Sequence, residues 1–237
     1  MQTPKAEITK THYDSFAEGG NDARKKAYLN KNILPLISKK PAENPKFLEI
    51  GPGRGELLEL LLANGFQDLN ALEVCEKYAQ DLIQKGFSVQ LCQSVIEACK
   101  VKQDSSFDTV FLIDIIEHLP MNEVLELLAQ IWRLLKPGGE IVIQVPNISG
   151  LYGWNTFAAD PTHITPFNET RLKCCLKVAG FKNSECKELA LPGGLGDLVR
   201  TILRKPIFLM HRFIMRCVGA NPVKILTHNV IAIGKKS

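Results

Sequence analysis

A glycine-rich stretch, LEIGPGRGE at 48–56, has the residue types that bind a small charged ligand. Its three alternating glycines, Gly51, Gly53 and Gly55, let the backbone turn sharply and let a ligand approach without interference from Cβ atoms. The helix expected after this loop favours a negatively charged group at its N-terminus. Glu56 stands where the dinucleotide fingerprint GxGxxG has its third glycine and would repel a pyrophosphate. A cofactor that carries a carboxylate and no phosphates fits this loop better.

Two acidic residues end the first two predicted strands. Glu49 precedes the glycine loop and can accept a hydrogen bond from an ammonium group, directly or through water. Glu73 follows 22 residues after Gly51, where an acid can bind both hydroxyls of a ribose. Together with the loop, the two acids favour a cofactor with an amino acid part and a nucleoside part.

Two histidines lie in loops that are expected to face a second substrate. His118 follows the fourth predicted strand, and His163 lies in DPTHITPF at 160–167, after the fifth. An imidazole with a pKa near 6.5 suits removal of a hydroxyl proton. We favour His163 as the catalytic base, with Asp160 in the same loop, because that loop should face the acceptor. His118 equally fits a polar residue that finishes a helix start.

These residues are placed by a regular alternation of strands and helices. The pattern predicts a doubly wound α/β sheet with right-handed crossovers, in which ligands bind outside the carboxyl ends of the strands. The predicted strands are 46–50, 70–74, 87–92, 107–114, 140–145 and 225–234. The predicted segments are an N-terminal helical arm or cap at 1–45, the core at 46–190, a basic apolar helical insertion at 191–222 and the final strand at 223–237.

Four motifs in this order resemble those of class I S-adenosylmethionine-dependent methyltransferases. They are LEIGPGRGE, ALEV with Glu73, FDTVFLIDIIEHLP at 107–120 and LLKPGGEIVIQVPN at 134–147. The resemblance implies a Rossmann-like, seven-stranded, mostly parallel sheet with an antiparallel last strand. It also implies S-adenosylmethionine as the cofactor of a transferase.

The resemblance assigns roles to particular residues. Glu49 and the loop from Gly51 to Gly55 would hold the methionine part, and Glu73 the ribose. Asp114 and Ile115 would lie beside the cofactor. The family often has an acid after the third strand for the adenine amino group; here Ser94 stands there, and Val95 could pack on the adenine.

A metal site is the alternative role for the two histidines. The set Asp114, Glu117, His118 and His163 resembles the ExxEH…H site of small-RNA 2′-O-methyltransferases and the ExxEH motif of ubiquinone-pathway O-methyltransferases, with Asp114 in place of Glu. Such ligands could hold Mg²⁺ or Mn²⁺ beside an acceptor hydroxyl. Many methyltransferases without metals carry an EH pair at this place, so we expect none here.

The C-terminal fifth of the chain is basic and apolar. Residues 191–237 hold eight Lys or Arg and one acid, so they carry +7, whereas the rest of the chain carries −3. The stretch 198–218 is too charged for a transmembrane helix of ~20 apolar residues. It could lie on anionic lipid, cover the acceptor pocket or form a dimer surface, but we expect a helical pair packed on the sheet, with its arginines in water.

The acceptor is less clear than the cofactor. DPTHITPF and a C-terminal extension resemble methyltransferases of bacterial polysaccharide biosynthesis, which suggests O-methylation of a glycan or small-molecule hydroxyl, phosphate-bearing or lipid-linked. The alternatives are a nucleic-acid methyltransferase, disfavoured because no RNA-binding module is recognised, a non-catalytic S-adenosylmethionine-binding protein, and a nicotinamide oxidoreductase, disfavoured by Glu56. Seven cysteines without a CxxC pair and no signal peptide predict the cytoplasm, or the inner face of the membrane.

Overall fold

Seven strands and eight α-helices alternate through residues 22–237, the part of the chain that the computed structural model describes. The predicted arm at 1–21 lies outside the described residues. The strands are β1 Phe47–Ile50, β2 Leu69–Glu73, β3 Ser88–Leu91, β4 Phe107–Ile113, β5 Leu135–Pro146, β6 Asn183–Glu188 and β7 Asn229–Lys235. The helices are α1 Asp22–Asn32, α2 Glu56–Ala63, α3 Glu76–Gln84, α4 Val95–Lys100, α5 Met121–Leu134, α6 Gly153–Ala158, α7 Glu169–Val178 and α8 Leu195–Cys217.

The strands form one sheet in the order β3-β2-β1-β4-β5-β7-β6. Strand β1 pairs in parallel with β2 and β4, and β7 is antiparallel to both β5 and β6. This arrangement confirms the predicted doubly wound sheet with an antiparallel last strand. The strand order reverses between β1 and β4, so the loops after these two strands open a crevice at that edge of the sheet.

Each face of the sheet carries its own apolar core. Strand β1 is buried along its whole length, as expected for a parallel strand covered on both faces. The spacing of apolar residues in α5 buries Val124, Leu127, Leu128 and Ile131 on one side of the sheet. On the other side, α1 and α2 pack beside Phe47 and Phe111.

Two strands begin several residues away from their predicted starts, and β6 was not among the strands predicted from the sequence. Strand β5 begins at Leu135 and continues through the Pro-Gly-Gly turn, because the register shifts between Phe107 and Thr109 of β4 and accommodates the extra residues. The last strand begins at Asn229 rather than at 225, since the buried residues before it lie outside the strand pairing.

The insertion before β7 is a helix, as predicted, but not a packed pair. Helix α8 runs unbroken from Leu195 to Cys217 with Pro206 inside it. Its orientation is the opposite of the expected one, because Arg204 and Arg212 turn towards the body of the protein and donate to backbone carbonyls. The exposed large apolar side chains of α8 are Leu195, Leu198, Val199, Ile202, Leu203, Ile207, Leu209, Met210, Phe213 and Ile214.

Helix α8 carries too much charge, and too little continuous apolar sequence, to cross a bilayer. Within residues 22–237, the same is true of every helix.

Candidate active site

A cleft of about 520 Å³ lies over the carboxyl ends of β1, β2 and β4. The loops after these strands supply most of its walls, as the sheet topology requires. Of the residues predicted to bind the cofactor, seven line it: Glu49, Gly51, Gly53, Glu73, Val95, Asp114 and Ile115. His118 and Asp160 line it as well, whereas His163 does not.

The glycine loop needs its glycines for two different reasons. Gly51 has a φ of +69°, and a Cβ atom there would lie 2.2 Å from Cδ1 of Ile115. Gly53 also has a positive φ, yet a Cβ atom there would meet no protein atom within 4 Å. Gly51 therefore permits close packing against the loop after β4, while Gly53 leaves the wall of the cleft open. The third glycine, Gly55, packs against Leu82 and does not line the cleft.

Glu49 is a buried carboxylate at the floor of the cleft. Only 3 % of its surface is exposed, and Oε2 has no hydrogen-bond partner among the described residues. Burial raises its pKa to about 8, with Lys25 opposing the shift and Glu56 and Glu73 adding to it. A buried oxygen of this kind is ready to accept a hydrogen bond from a cationic ligand.

Glu73 closes the glycine loop onto the end of β2. Its Oε2 accepts from the amide of Gly53 at 3.2 Å, and its Oε1 accepts from the amides of Val74 and Cys75 at 2.7 and 2.8 Å. Burial raises the pKa of this carboxyl, and the three backbone donors partly offset the rise. Glu73 thus has a positioning role that the sequence did not reveal, beside any contact with a ribose.

Asp114 ends β4 in a strained backbone conformation. Its φ of +56° lies in the left-handed region, which costs non-glycine residues free energy and is concentrated at functional sites. Gln144 donates to both carboxylate oxygens of Asp114 at 3.1 and 3.0 Å, and Tyr28 donates to the side-chain oxygen of Gln144. Burial raises the pKa of Tyr28.

Helix α1 supplies residues that the sequence analysis missed. Lys25 and Leu29 line the cleft, and Lys25 forms an ion pair with Glu56 at 3.1 Å. Arg54 and Tyr78 are further lining residues without a predicted role. The predicted helical arm or cap at 1–45 contains α1, but the sequence gave no sign that this helix would line the cleft, because that contact joins distant parts of the chain.

Of the two residues expected to contact the adenine, only one lies in the cleft wall. Val95 lines the cleft, but Ser94 does not, because it is the residue that caps α4. The Ser94 hydroxyl accepts from the amide of Glu97 at 3.4 Å. The capping signal was present in the sequence, since Ser is a preferred residue at a helix start.

His118 is oriented by a chain of hydrogen bonds. The Thr162 hydroxyl donates to Oδ1 of Asp160 at 2.6 Å, so its 2.8 Å contact with Nδ1 of His118 must be one in which the imidazole donates. When the ring is neutral, its proton is therefore on Nδ1 and its lone pair is on Nε2. The Thr162 bonds lower the pKa of Asp160 against the opposing effect of burial.

His163 is instead buried behind His118. Its Nδ1 donates to the carbonyl of Phe157 at 2.8 Å, and its ring stacks on Phe157 and lies 4.6 Å from the ring of His118, centroid to centroid. The ring of His163, which the sequence favoured as the catalytic base, is thus fixed by a backbone carbonyl of α6. Of the two histidines, His118 lines the cleft.

Three of the four residues of the metal alternative come together. Glu117, His118 and His163 offer ligand atoms that all lie within 4.8 Å of one another. Asp114 does not join this group and accepts from Gln144 instead. Glu117 is fully buried, neither of its carboxylate oxygens has a partner among the described residues, and burial raises its pKa well above the usual range.

Comparison with known proteins identifies the family. Residues 22–185 match the model of the methyltransferase domain. The tRNA U34 carboxymethyltransferase of Pseudoalteromonas translucida (strain TAC 125) is 28 % identical over 171 residues, which are 67 % of this chain and 51 % of that protein. The chain thus spans about half the length of this curated relative.

Solved structures share the fold. An S-adenosylmethionine-dependent methyltransferase from Archaeoglobus fulgidus superposes with a TM-score of 0.70 at 26 % identity, covering 92 % of this chain and 95 % of that one. Phosphoethanolamine N-methyltransferase 2 of Haemonchus contortus, in complex with S-adenosyl-L-methionine, superposes with a TM-score of 0.58 at 18 % identity. The match covers 100 % of this chain and 58 % of that one. The chain belongs to the methyltransferase domain family and has the fold of class I S-adenosylmethionine-dependent methyltransferases.

Proposed function

We propose that the protein transfers a methyl group from S-adenosylmethionine to a hydroxyl of a glycan or small molecule, with His118 as the base. The observation that carries this proposal is the hydrogen-bond chain from His118 through Thr162 to Asp160, at the edge of the cofactor cleft. A hydroxyl must lose its proton at or before attack on the methyl carbon, and an imidazole lone pair accepts it.

The cleft residues fit the cofactor group by group. Glu49, with its buried oxygen, would accept from the ammonium of the methionine part, and the open backbone at Gly53 would let that part approach. Glu73 would accept from the ribose hydroxyls, and Val95 and Ile115 would contact the adenosine. When bound, S-adenosylmethionine would supply an electrophilic methyl group on a sulfonium, with the neutral thioether of S-adenosylhomocysteine as the leaving group.

The remaining catalytic tasks fall to the protein. The His118 lone pair on Nε2 takes the hydroxyl proton, and the resulting imidazolium is stabilised through Thr162 by the carboxylate of Asp160. Asp114 and Ile115 form the wall between the cofactor loop and His118. Alignment of acceptor, methyl carbon and sulfur in a closed cleft accounts for most of the rate enhancement in this type of displacement.

The test of the proposal has two parts. Calorimetry with S-adenosylhomocysteine, with NADH as the control, should give micromolar binding that Glu73→Ala weakens sharply and His118→Gln leaves unchanged. Transfer of labelled methyl from S-adenosylmethionine is then measured on nucleotide sugars, lipid-linked glycans, phenols and tRNA. His118→Gln should lower kcat on a hydroxyl acceptor about 10²- to 10⁴-fold. His211→Gln, a histidine outside the cleft, should not lower it.

Other outcomes would redirect the assignment. Methylation of tRNA alone would move the protein to the nucleic-acid alternative, which the name of the curated relative also suggests. A rate on hydroxyl acceptors that His118→Gln leaves intact would remove His118 as the base. Cofactor binding without turnover on the whole panel would favour the non-catalytic alternative.

A second candidate function is the binding of a divalent cation by Glu117, His118 and His163. The observation that favours it is the Glu117 carboxylate, which has no partner among the described residues and faces Nε2 of His163 at 3.9 Å. Because Nδ1 of His163 donates to Phe157, both facing atoms are acceptors, so either an extra proton or a cation must lie between them. Titration with Mn²⁺, followed by electron paramagnetic resonance, distinguishes the two, and full activity in excess chelator would exclude the cation.

A further inference from the structure

The apolar side of α8 faces solvent, an arrangement that is unfavourable in a monomer surrounded by water. About half of the helix circumference points to solvent over its 23 residues, and Ile202, Leu209, Met210 and Phe213 on that side are each more than half exposed. At 1.5 Å per residue the helix is about 34 Å long. A continuous apolar strip of this length marks an interaction surface.

The polar side of the same helix is used for attachment to the protein. Arg204 donates to the carbonyl of Leu189 at 2.9 Å, and Arg212 donates to the carbonyl of Val223 at 3.2 Å and pairs with Glu188 at 3.5 Å. Asp197 accepts from the amide of Gly193 at 3.2 Å. The helix is thus held by hydrogen bonds, and its apolar side is directed away from the body.

The charges at the edges of the apolar strip indicate its partner. Lys205 and Arg216 are exposed along one edge and Arg200 along the other. The one acid of the helix, Asp197, is paired with Arg200 at 2.9 Å. A second copy of the chain, docked through this strip, would bring basic edges against basic edges, whereas an anionic bilayer would attract them.

We propose that α8 binds the protein to an anionic lipid surface, lying in the plane of the interface with its apolar strip among the acyl chains. Lys205, Arg216 and Arg200 contact the lipid phosphates.

The test is co-sedimentation of the full chain with vesicles of phosphatidylcholine alone and of phosphatidylcholine mixed with phosphatidylglycerol. The protein should bind the mixed vesicles and bind less as salt rises. The variant Ile202→Glu/Phe213→Glu should lose at least about a hundredfold in affinity. Lys205→Gln/Arg216→Gln should lose roughly thirtyfold on anionic vesicles.

The matched control is Val101→Glu/Val178→Glu, which adds the same charge at two exposed apolar positions away from α8, one directly after α4 and one at the end of α7. It should bind vesicles like the unaltered chain. Thermal unfolding and S-adenosylhomocysteine binding should be unchanged in all three variants, so a loss of folding or of the cofactor site is distinguished from a loss of lipid binding.

Two results would overturn the proposal. One is that the chain binds neither vesicle type. The other is a dimer in size-exclusion chromatography with light scattering that Ile202→Glu/Phe213→Glu converts to a monomer, because the strip would then be covered by a second copy.

Discussion

The elements around the cofactor loop and helix α8 place their apolar residues in opposite ways. Beside the loop after β1, the strand residues Leu48 and Ile50 are buried in the core. In α8, Arg204 and Arg212 face the protein and the large apolar residues face outwards. Apolar composition therefore predicts burial in elements that belong to the sheet or pack on it, such as β1 and α5. The orientation of the appended helix α8 depends instead on which of its sides forms hydrogen bonds to the body.

Alanine in place of glycine should have opposite effects in the two regions. Gly51→Ala should cost about 2–4 kcal/mol of unfolding free energy, because the left-handed φ is strained and the new Cβ displaces Ile115. It should also abolish measurable binding of S-adenosylhomocysteine. Denaturant unfolding and calorimetry measure the two effects.

The matched substitution is Gly196→Ala in α8. A Cβ atom there meets nothing within 4 Å, and alanine is the better helix former, so stability should rise by about 0.5–1 kcal/mol. An equal loss of unfolding free energy in Gly51→Ala and Gly196→Ala would contradict this difference between the two regions.

Cofactor binding should release a proton from Glu49. With a pKa of about 8 in the folded protein, Glu49 is protonated at neutral pH, and pairing with a ligand ammonium would ionise it. Calorimetry of S-adenosylhomocysteine binding at pH 7, in buffers of different ionisation enthalpy, should show release approaching one proton. Glu49→Gln should show none from this site.

The same group should affect stability without a ligand. An acid whose folded pKa is raised holds its proton longer than in the unfolded chain, so its contribution to stability falls as pH rises from the ordinary value towards about 8. Relative to the unaltered chain, Glu49→Gln should therefore gain on the order of 3–4 kcal/mol between pH 5 and pH 8. A difference independent of pH would contradict the raised pKa.

The sequence predicted local features and missed those that depend on distant contacts. Gly51, Glu49 and Glu73 could be singled out because each lies at the end of a predicted strand or directly after it. The choice between His118 and His163 was decided by Thr162 and Phe157, whose contacts appear only after the 160–167 loop folds against residues 116–119. Lys25 and the orientation of α8 were unpredictable for the same reason.

A smaller difference should distinguish adjacent basic residues of α8. Arg204→Ala should cost about 1 kcal/mol, because a charged hydrogen bond to Leu189 is lost at a partly exposed site. Lys205→Ala, at the exposed edge of the strip, should change stability by less than about 0.5 kcal/mol. Denaturant unfolding resolves the two, and equal costs would show that Arg204 does not hold the helix.

The smallest effect concerns Ser94, where the structure and the family resemblance suggest different roles. Its hydroxyl accepts from the amide of Glu97 at 3.4 Å, a long capping bond, so Ser94→Ala should cost about 0.5 kcal/mol of stability. Because Ser94 does not line the cleft while Val95 does, S-adenosylhomocysteine affinity should change by less than about twofold in Ser94→Ala and fall further in Val95→Ala. A Ser94→Ala variant of unchanged stability that binds the cofactor much more weakly would restore the adenine contact. Ser94 would then contact the cofactor in addition to capping α4.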